Sequence, residues 1–416
     1  MNLLFLLSLF ACTGSTEELP SESDTDTDAD ADSDTDADTD SDTDTDAAPT
    51  LAAIQAGTYA VGTEVTVEGV VVTSPDAGHG FFAQDTDGAV NSGVWVYYGS
   101  IEAWEETGAG VGFGDEVTLT GVVQEYDYED GSGETLTELE LVAESGLSLT
   151  GTASVPASVE LTDDDWADWS TLEDYEGMLV TVRDIQATEY LEWGEWVWGD
   201  NVVVDDMFFA YDEELEIVSG VGASSITGNL TWTHGRYKLE PHDATDFVGL
   251  SDPPCNADLC ADDLDSGDLI ITEFLADPTA ADDSDAEWIE IYNDSGSSID
   301  LRRVRLGDEG GSHLFPNELI LPAGRYLLVG RGDGVDWPYT ASPDEFWGGE
   351  PQLNNTGDNL QIWAGDTLVD ETGDYGEVDA GVSRQRDSHG SWCDGTDAID
   401  GGSDFGTPGA ANNDCG

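Results

Sequence analysis

The chain has 416 residues, with 91 Asp and Glu against 10 Lys and Arg, a formal net charge of −81 at pH 7. That balance argues against a cation-built nucleic-acid surface, because affinity for phosphate rests largely on Lys and Arg. The length is enough for two or three domains, and 49 glycines among short alternating apolar runs point to an all-β chain rich in turns.

A nine-residue apolar run from Leu3 to Ala11 ends at Cys12. It is too short to span a bilayer and reads as the core of an export signal. Leu9-Phe10-Ala11-Cys12 resembles a bacterial lipobox, where the peptide is cut before a cysteine that carries lipid. The resemblance implies a leader over residues 1–12, lipid on Cys12 and, with Thr13 next rather than Asp, an outer-membrane or cell-surface location. An ordinary signal cleaved near Ala11 is the alternative. Residues 13–49 form an acidic linker with Asp at every even position from Asp24 to Asp46. Like charge without aromatic residues leaves such a segment disordered and extended.

Strands are expected over 64–72, 80–85, 93–98, 114–123 and 136–141, with glycine at the bends, as suits a small barrel over residues 50–150. Of Phe81, Phe82, Trp95, Tyr97 and Tyr98, many alternate along these strands and are expected to fill its core. The string G-x-x-V-T-V-E-G-V-V, G-F-F-A-Q-D, V-W-V-Y, G-D-E-V-T-L-T-G-V-V, L-T-E-L resembles the OB-fold domains that precede the catalytic domain of secreted bacterial nucleases. Residues 151–252 carry Y-E-G-M-L-V, I-T-G and Y-K-L-x-P, which resemble the second half of the same accessory region. They are expected to form a second OB-like domain; one larger β domain over 50–250 is the alternative.

A Pro- and Cys-containing hinge follows at 253–267. Residues 268–416 resemble a lamin-tail domain in Leu269–Phe274, Glu287–Asn293, Leu321–Val329, Asn355–Ile362 and Gly406–Asn412. The resemblance implies an immunoglobulin-like β-sandwich. With Cys12 assigned to the anchor, Cys255, Cys260, Cys393 and Cys415 remain. Four cysteines in an exported chain imply two disulfides in one of three pairings, and proximity in sequence favours Cys255–Cys260 with Cys393–Cys415.

No catalytic constellation is legible: HExxH, GxSxG and phosphate-loop patterns are missing, and His79, His234, His242, His313 and His389 are scattered. The nuclease resemblance covers the accessory region alone. Trp193, Trp196 and Trp198, beside Asp and Glu, have the composition of a sugar-stacking platform, set against a core or inter-domain role for the same residues. Asp85 and Asp87, and the run from Asp277 to Asp285, are oxygen-rich loops of the kind calcium takes. Arg302, Arg303 and Arg305 form the densest basic cluster and are expected to be neutralised by ion pairs. Arg331-Gly332-Asp333 is an adhesion tripeptide too short to weigh. The expected function is non-catalytic binding or scaffolding by a lipid-anchored envelope protein, its partner a surface glycan or an envelope protein, with calcium as a candidate cofactor. The alternative is an accessory nucleic-acid-binding component of an extracellular nuclease system.

Overall fold

The computed structural model describes residues 48–416 apart from 100, 105–107, 129–130, 192–193, 309 and 416, and these residues pack as one unit. The signal run, Cys12, the acidic linker and Trp193 lie outside the described residues. Three β assemblies follow one another along the chain.

The first is built from β1 (Glu64–Val72), β2 (Gly80–Gln84), β3 (Gly93–Tyr97), β4 (Asp115–Tyr126), β5 (Leu136–Glu140) and β6 (Leu147–Thr152), preceded by the short helix α1 (Leu51–Gln55). The strands pair in the order β1-β2-β3-β5-β4-β6, and β1 also pairs with β4, so the circuit returns on itself. All pairs are antiparallel except β3 with β5. A single strand can join both β2 and β4 because it bends at Gly69, where the register shifts between Glu68 and Val70 and φ is +72°. Val65, Val67, Phe81, Val94, Val96, Val117, Leu119 and Leu139 meet inside.

The second assembly repeats this plan. It comprises β7 (Val159–Glu160), β8 (Leu179–Tyr190), β9 (Trp196–Trp198), β10 (Val202–Val204), β11 (Gly222–Thr233), β12 (Arg236–Glu240) and β13 (Phe247–Val248), with helices α2 (Asp163–Trp166) and α3 (Trp169–Glu173) ahead of β8. The circuit β8-β9-β10-β12-β11 closes through β11 and β8, with β10 and β12 the parallel pair, and β13 adds to β11 as β6 adds to β4. A 3₁₀ turn precedes the last strand in both assemblies, at Glu144–Gly146 and at Ala244–Asp246. Asp184 at φ +49° holds the place in β8 that Gly69 holds in β1, within Val180-Thr181-Val182-Arg183-Asp184 and Val65-Thr66-Val67-Glu68-Gly69. The two OB-like sheets are thus copies of one topology.

The third assembly packs two sheets face to face. One has the order β21-β20-β15-β14-β24-β25 and the other β18-β17-β22-β23, with the pair β16-β19 beside them. The strands are β14 (Leu269–Leu275), β15 (Trp288–Asn293), β16 (Ile299–Asp300), β17 (Val304–Gly307), β18 (Ser312–Leu314), β19 (Ile320–Leu321), β20 (Tyr326–Arg331), β21 (Glu345–Trp347), β22 (Gln361–Ala364), β23 (Thr367–Glu371), β24 (Arg384–Arg386) and β25 (Trp392–Asp394). Leu269, Ile271, Ile289, Ile291, Val304, Leu306, Leu327, Val329 and Ile362 fill the space between them. This is the immunoglobulin-like sandwich. Cys255 pairs with Cys260 and Cys393 with Cys415, at Cα separations of 6.2 and 5.7 Å.

Candidate functional site

Strand alternation decides which aromatic side chains face inward. In β9, Trp196 and Trp198 share one face, and it is the inner one: they are 1% and 0% exposed, opposite Val204 and Val202. The sugar platform expected at these residues is therefore corrected to core. Of the three tryptophans in that expectation, Trp193 is outside the described residues. In β2 and β3 the outcome is reversed for part of the set. Phe81 joins the first core together with Tyr98, which follows β3, but Phe82, Trp95 and Tyr97 point outward. Phe82 lies opposite Trp95, with ring centroids 4.7 Å apart. The Trp95 indole lies over Gly80, where any Cβ would collide with the ring.

The acidic loops serve their own backbone. Burial, followed by the Asp87 charge, raises the pKa of Asp85, and the backbone N–H groups of Leu51 and Ala52 at the start of α1 oppose that rise. Asp87 Oδ1 accepts from the Ala89 N–H at 3.1 Å. Among the described residues no three His, Cys, Asp or Glu side chains converge as a metal-binding group.

Cations are consumed by structure. Nine of the ten Lys and Arg are in ion pairs; Arg325, exposed, is the tenth. The basic cluster clasps the second OB-like sheet to the sandwich. Arg302 pairs with Asp300 and donates to the carbonyls of Ser219 at 3.0 Å and Pro254 at 2.7 Å, Arg303 pairs with Asp252, and Arg305 with Glu216. Arg331 of the adhesion tripeptide is turned onto buried Glu287 at 2.9 Å, which removes it from any such role.

The joint between the two OB-like sheets is equally close. Gly93 and Gly177 meet backbone to backbone, so that a Cβ on Gly93 would collide with the Gly177 carbonyl carbon. The Leu179 N–H donates to Gln84 Oε1, the Thr137 N–H to Glu176 Oε1, and Asn229 Nδ2 to Thr73 Oγ1. Above them, Met207 and Phe208 from the segment after β10 cover Phe82, Trp95 and Leu136.

That cover leaves part of the outer face of the first sheet free. Two neighbouring rows run across β3, β5 and β4: Trp95, Glu138 and Gln124 in one, Tyr97, Glu140 and Val122 in the next. Tyr126 is 49% exposed and stacks edgewise on Tyr128 at 4.7 Å. Gln124 Nε2 donates to Glu140 Oε2 at 2.9 Å. Glu138 is 8% exposed, and its carboxyl makes no hydrogen bond or ion pair among the described residues. Burial, then the charges of Glu140 and Glu125, push its pKa up to about 7. The same forces raise Tyr97: burial first, then Glu138 and Glu140. The sequence missed this constellation because Trp95 and Tyr97 alternate with Val94 and Val96, and both faces of β3 are apolar.

No curated protein matches the chain. The family model described as Lamin Tail Domain matches residues 264–377. Together with the two-sheet packing, this identifies the C-terminal assembly as a lamin-tail domain, behind two OB-like sheets of shared topology.

Proposed function

We propose that this chain is a non-catalytic binding or scaffolding protein, held at the bacterial envelope by lipid on Cys12 and displayed on its acidic linker. The observation that carries the reading is the fate of the cations. Nine are held in ion pairs, several of them at the joints between assemblies, so the charge that faces outward is overwhelmingly negative. Such a surface selects cationic partners and disfavours polyanions. The lamin-tail fold is consistent with a non-enzymatic role.

The second reading, an accessory nucleic-acid-binding component, is favoured by the OB-like pairing circuit alone. OB sheets that hold single strands combine stacking aromatics with a basic groove, and here the aromatics lie among carboxylates. Fractionation of cells carrying the full chain and its Cys12→Ala variant tests the anchor. The wild type should remain with the membrane pellet and the variant should leave it. Retention of both in the pellet overturns the anchor. Binding to DNA or RNA that weakens steeply with salt would favour the second reading.

A further inference from the structure

The first OB-like sheet presents aromatic rings on the outer face of β2 and β3, with carboxylates where a nucleic-acid binder would carry cations. We infer that the open part of this face, bounded by Tyr97, Tyr126 and Tyr128, docks an Arg- or Lys-rich segment of a partner protein, with Glu138 and Glu140 receiving its cationic side chains. This inference deepens the binding reading above by naming the partner's chemistry, and it rests on that reading.

Four observations converge. First, Glu138 and Glu140 are two residues apart on β5 and so project from the same side, flanked across the ladder by Trp95 and Tyr97. Second, Glu138 is nine-tenths buried in that face and has no partner within the described residues. A carboxylate held in an aromatic setting without hydrogen bonds costs stability unless something binds it. Third, among the described residues no Lys or Arg is placed to neutralise it. No Lys or Arg precedes Arg183. Lys238 sits between Glu195 and Asp205, and Arg236 leans on Glu195 as well. Fourth, the ring contacts run on from Tyr126 through Tyr128 to His234 at 4.7 and 5.0 Å, a strip along which a flat cation can stack. Phenol rings beside two carboxylates suit an organic cation. A hard metal ion would need more oxygen ligands than converge here.

With so large a net charge, any cationic peptide will adhere somewhat, so the test must separate site from field. A hexa-arginine peptide is titrated calorimetrically into the full chain at about 0.15 M NaCl, where the screening length is about 8 Å. The Glu138→Gln/Glu140→Gln double variant and Tyr97→Ala are compared with two variants of equal charge loss elsewhere. These are Asp34→Asn/Asp36→Asn in the linker and Glu64→Gln/Glu68→Gln on exposed positions of β1. The site variants should each weaken binding by about tenfold, a loss readily resolved as a change in Kd, and the controls by less than about twofold. Equal weakening in controls and site variants, or no binding by the wild type, overturns the inference. Because Glu138→Gln removes a buried charge, the double variant is expected to fold; urea unfolding of each variant checks this. The broader reading survives such a failure if the anchor test holds, whereas loss of the anchor leaves the peptide result standing.

Discussion

Glu138 exposes a conflict between folding and binding at a single side chain. Its pKa of about 7 lies above the ordinary 4.5. A carboxyl raised on folding stabilises the fold most fully below its unfolded pKa, and that contribution is lost as pH rises through the folded value. At pH 8 the ionised group is therefore a burden of up to ~3 kcal/mol, since each tenfold change in acidity is worth ~1.4 kcal/mol. Glu138→Gln should thus raise unfolding free energy by ~1–2 kcal/mol at pH 8 and change it little at pH 4, where the native acid is already neutral. Urea unfolding at the two pH values measures this. An equal gain at both would show that charge is not the cause. The same scale shows what a sequence can and cannot reveal. Alternation correctly put Trp196 and Trp198 on one face. It could not say which face was inner, because Val202 and Val204 opposite them are as apolar as any core. Phe82 and Trp95 failed in the opposite sense: they are buried, yet under Met207 and Phe208 from the next assembly. Burial of that kind depends on contacts between residues more than a hundred positions apart, which no local pattern records.

At the scale of elements, strands and their order were more legible than the devices that hold them. The five strands expected in the first assembly are all present, at nearly the expected bounds. The resemblance at Gly406–Asn412 marked the C-terminal strap of the lamin-tail domain but not what the strap fastens. Glu273 and Glu290 lie opposite each other on β14 and β15, both fully buried. Like charges so placed repel; the Ser383 hydroxyl donates to Glu273 and the Thr272 hydroxyl to Glu290, and the chain end supplies the remaining donors. Thr407 donates its N–H and hydroxyl to Glu273, Gly409 and Ala410 donate backbone N–H groups to Glu290, and Asn412 donates to the carbonyls of Thr272 and Arg386. The disulfide between Cys393 and Cys415 fastens the strap's far end. The family match stops at 377, before β24, β25 and this segment. A chain ended after residue 377 should therefore fail to fold its lamin-tail domain, leaving buried Glu273 without a donor and Glu290 with the Thr272 hydroxyl alone. Thr407→Ala should leave the fold intact at a cost of ~1–3 kcal/mol, the worth of a hydrogen bond to a charged acceptor. Thermal unfolding of the two variants decides it; a cooperative transition in the truncated chain would show the strap to be dispensable.

Across the whole molecule, the controlling quantity is 91 acids against 10 bases. Two electrostatic effects oppose each other as salt is added. Ion pairs such as Arg183 with Glu160, whose side chains are 55% and 60% exposed, lose strength, but surface pairs of that kind contribute little at the outset. The buried clasps, Arg302 with Asp300 and Arg331 with Glu287, are sheltered from screening by their burial. What salt chiefly removes is repulsion among the unpaired carboxylates, which opposes compaction. Raising NaCl from about 0.1 M to about 1 M shortens the screening length from about 10 Å to about 3 Å, less than the spacing of most surface charges. The melting temperature should therefore rise with NaCl, by several degrees, and level off once neighbouring carboxylates are screened. A flat or falling curve would mean that exposed ion pairs, and not repulsion, govern stability. Calcium at matched ionic strength provides the comparison that gives the curve meaning. An equal rise with calcium and sodium marks a diffuse field acting on the whole surface. A rise with calcium well beyond that of sodium, saturating at low concentration, would instead require ordered oxygen ligands, and would make the carboxylate loops around Asp85 and Asp277 the first places to substitute.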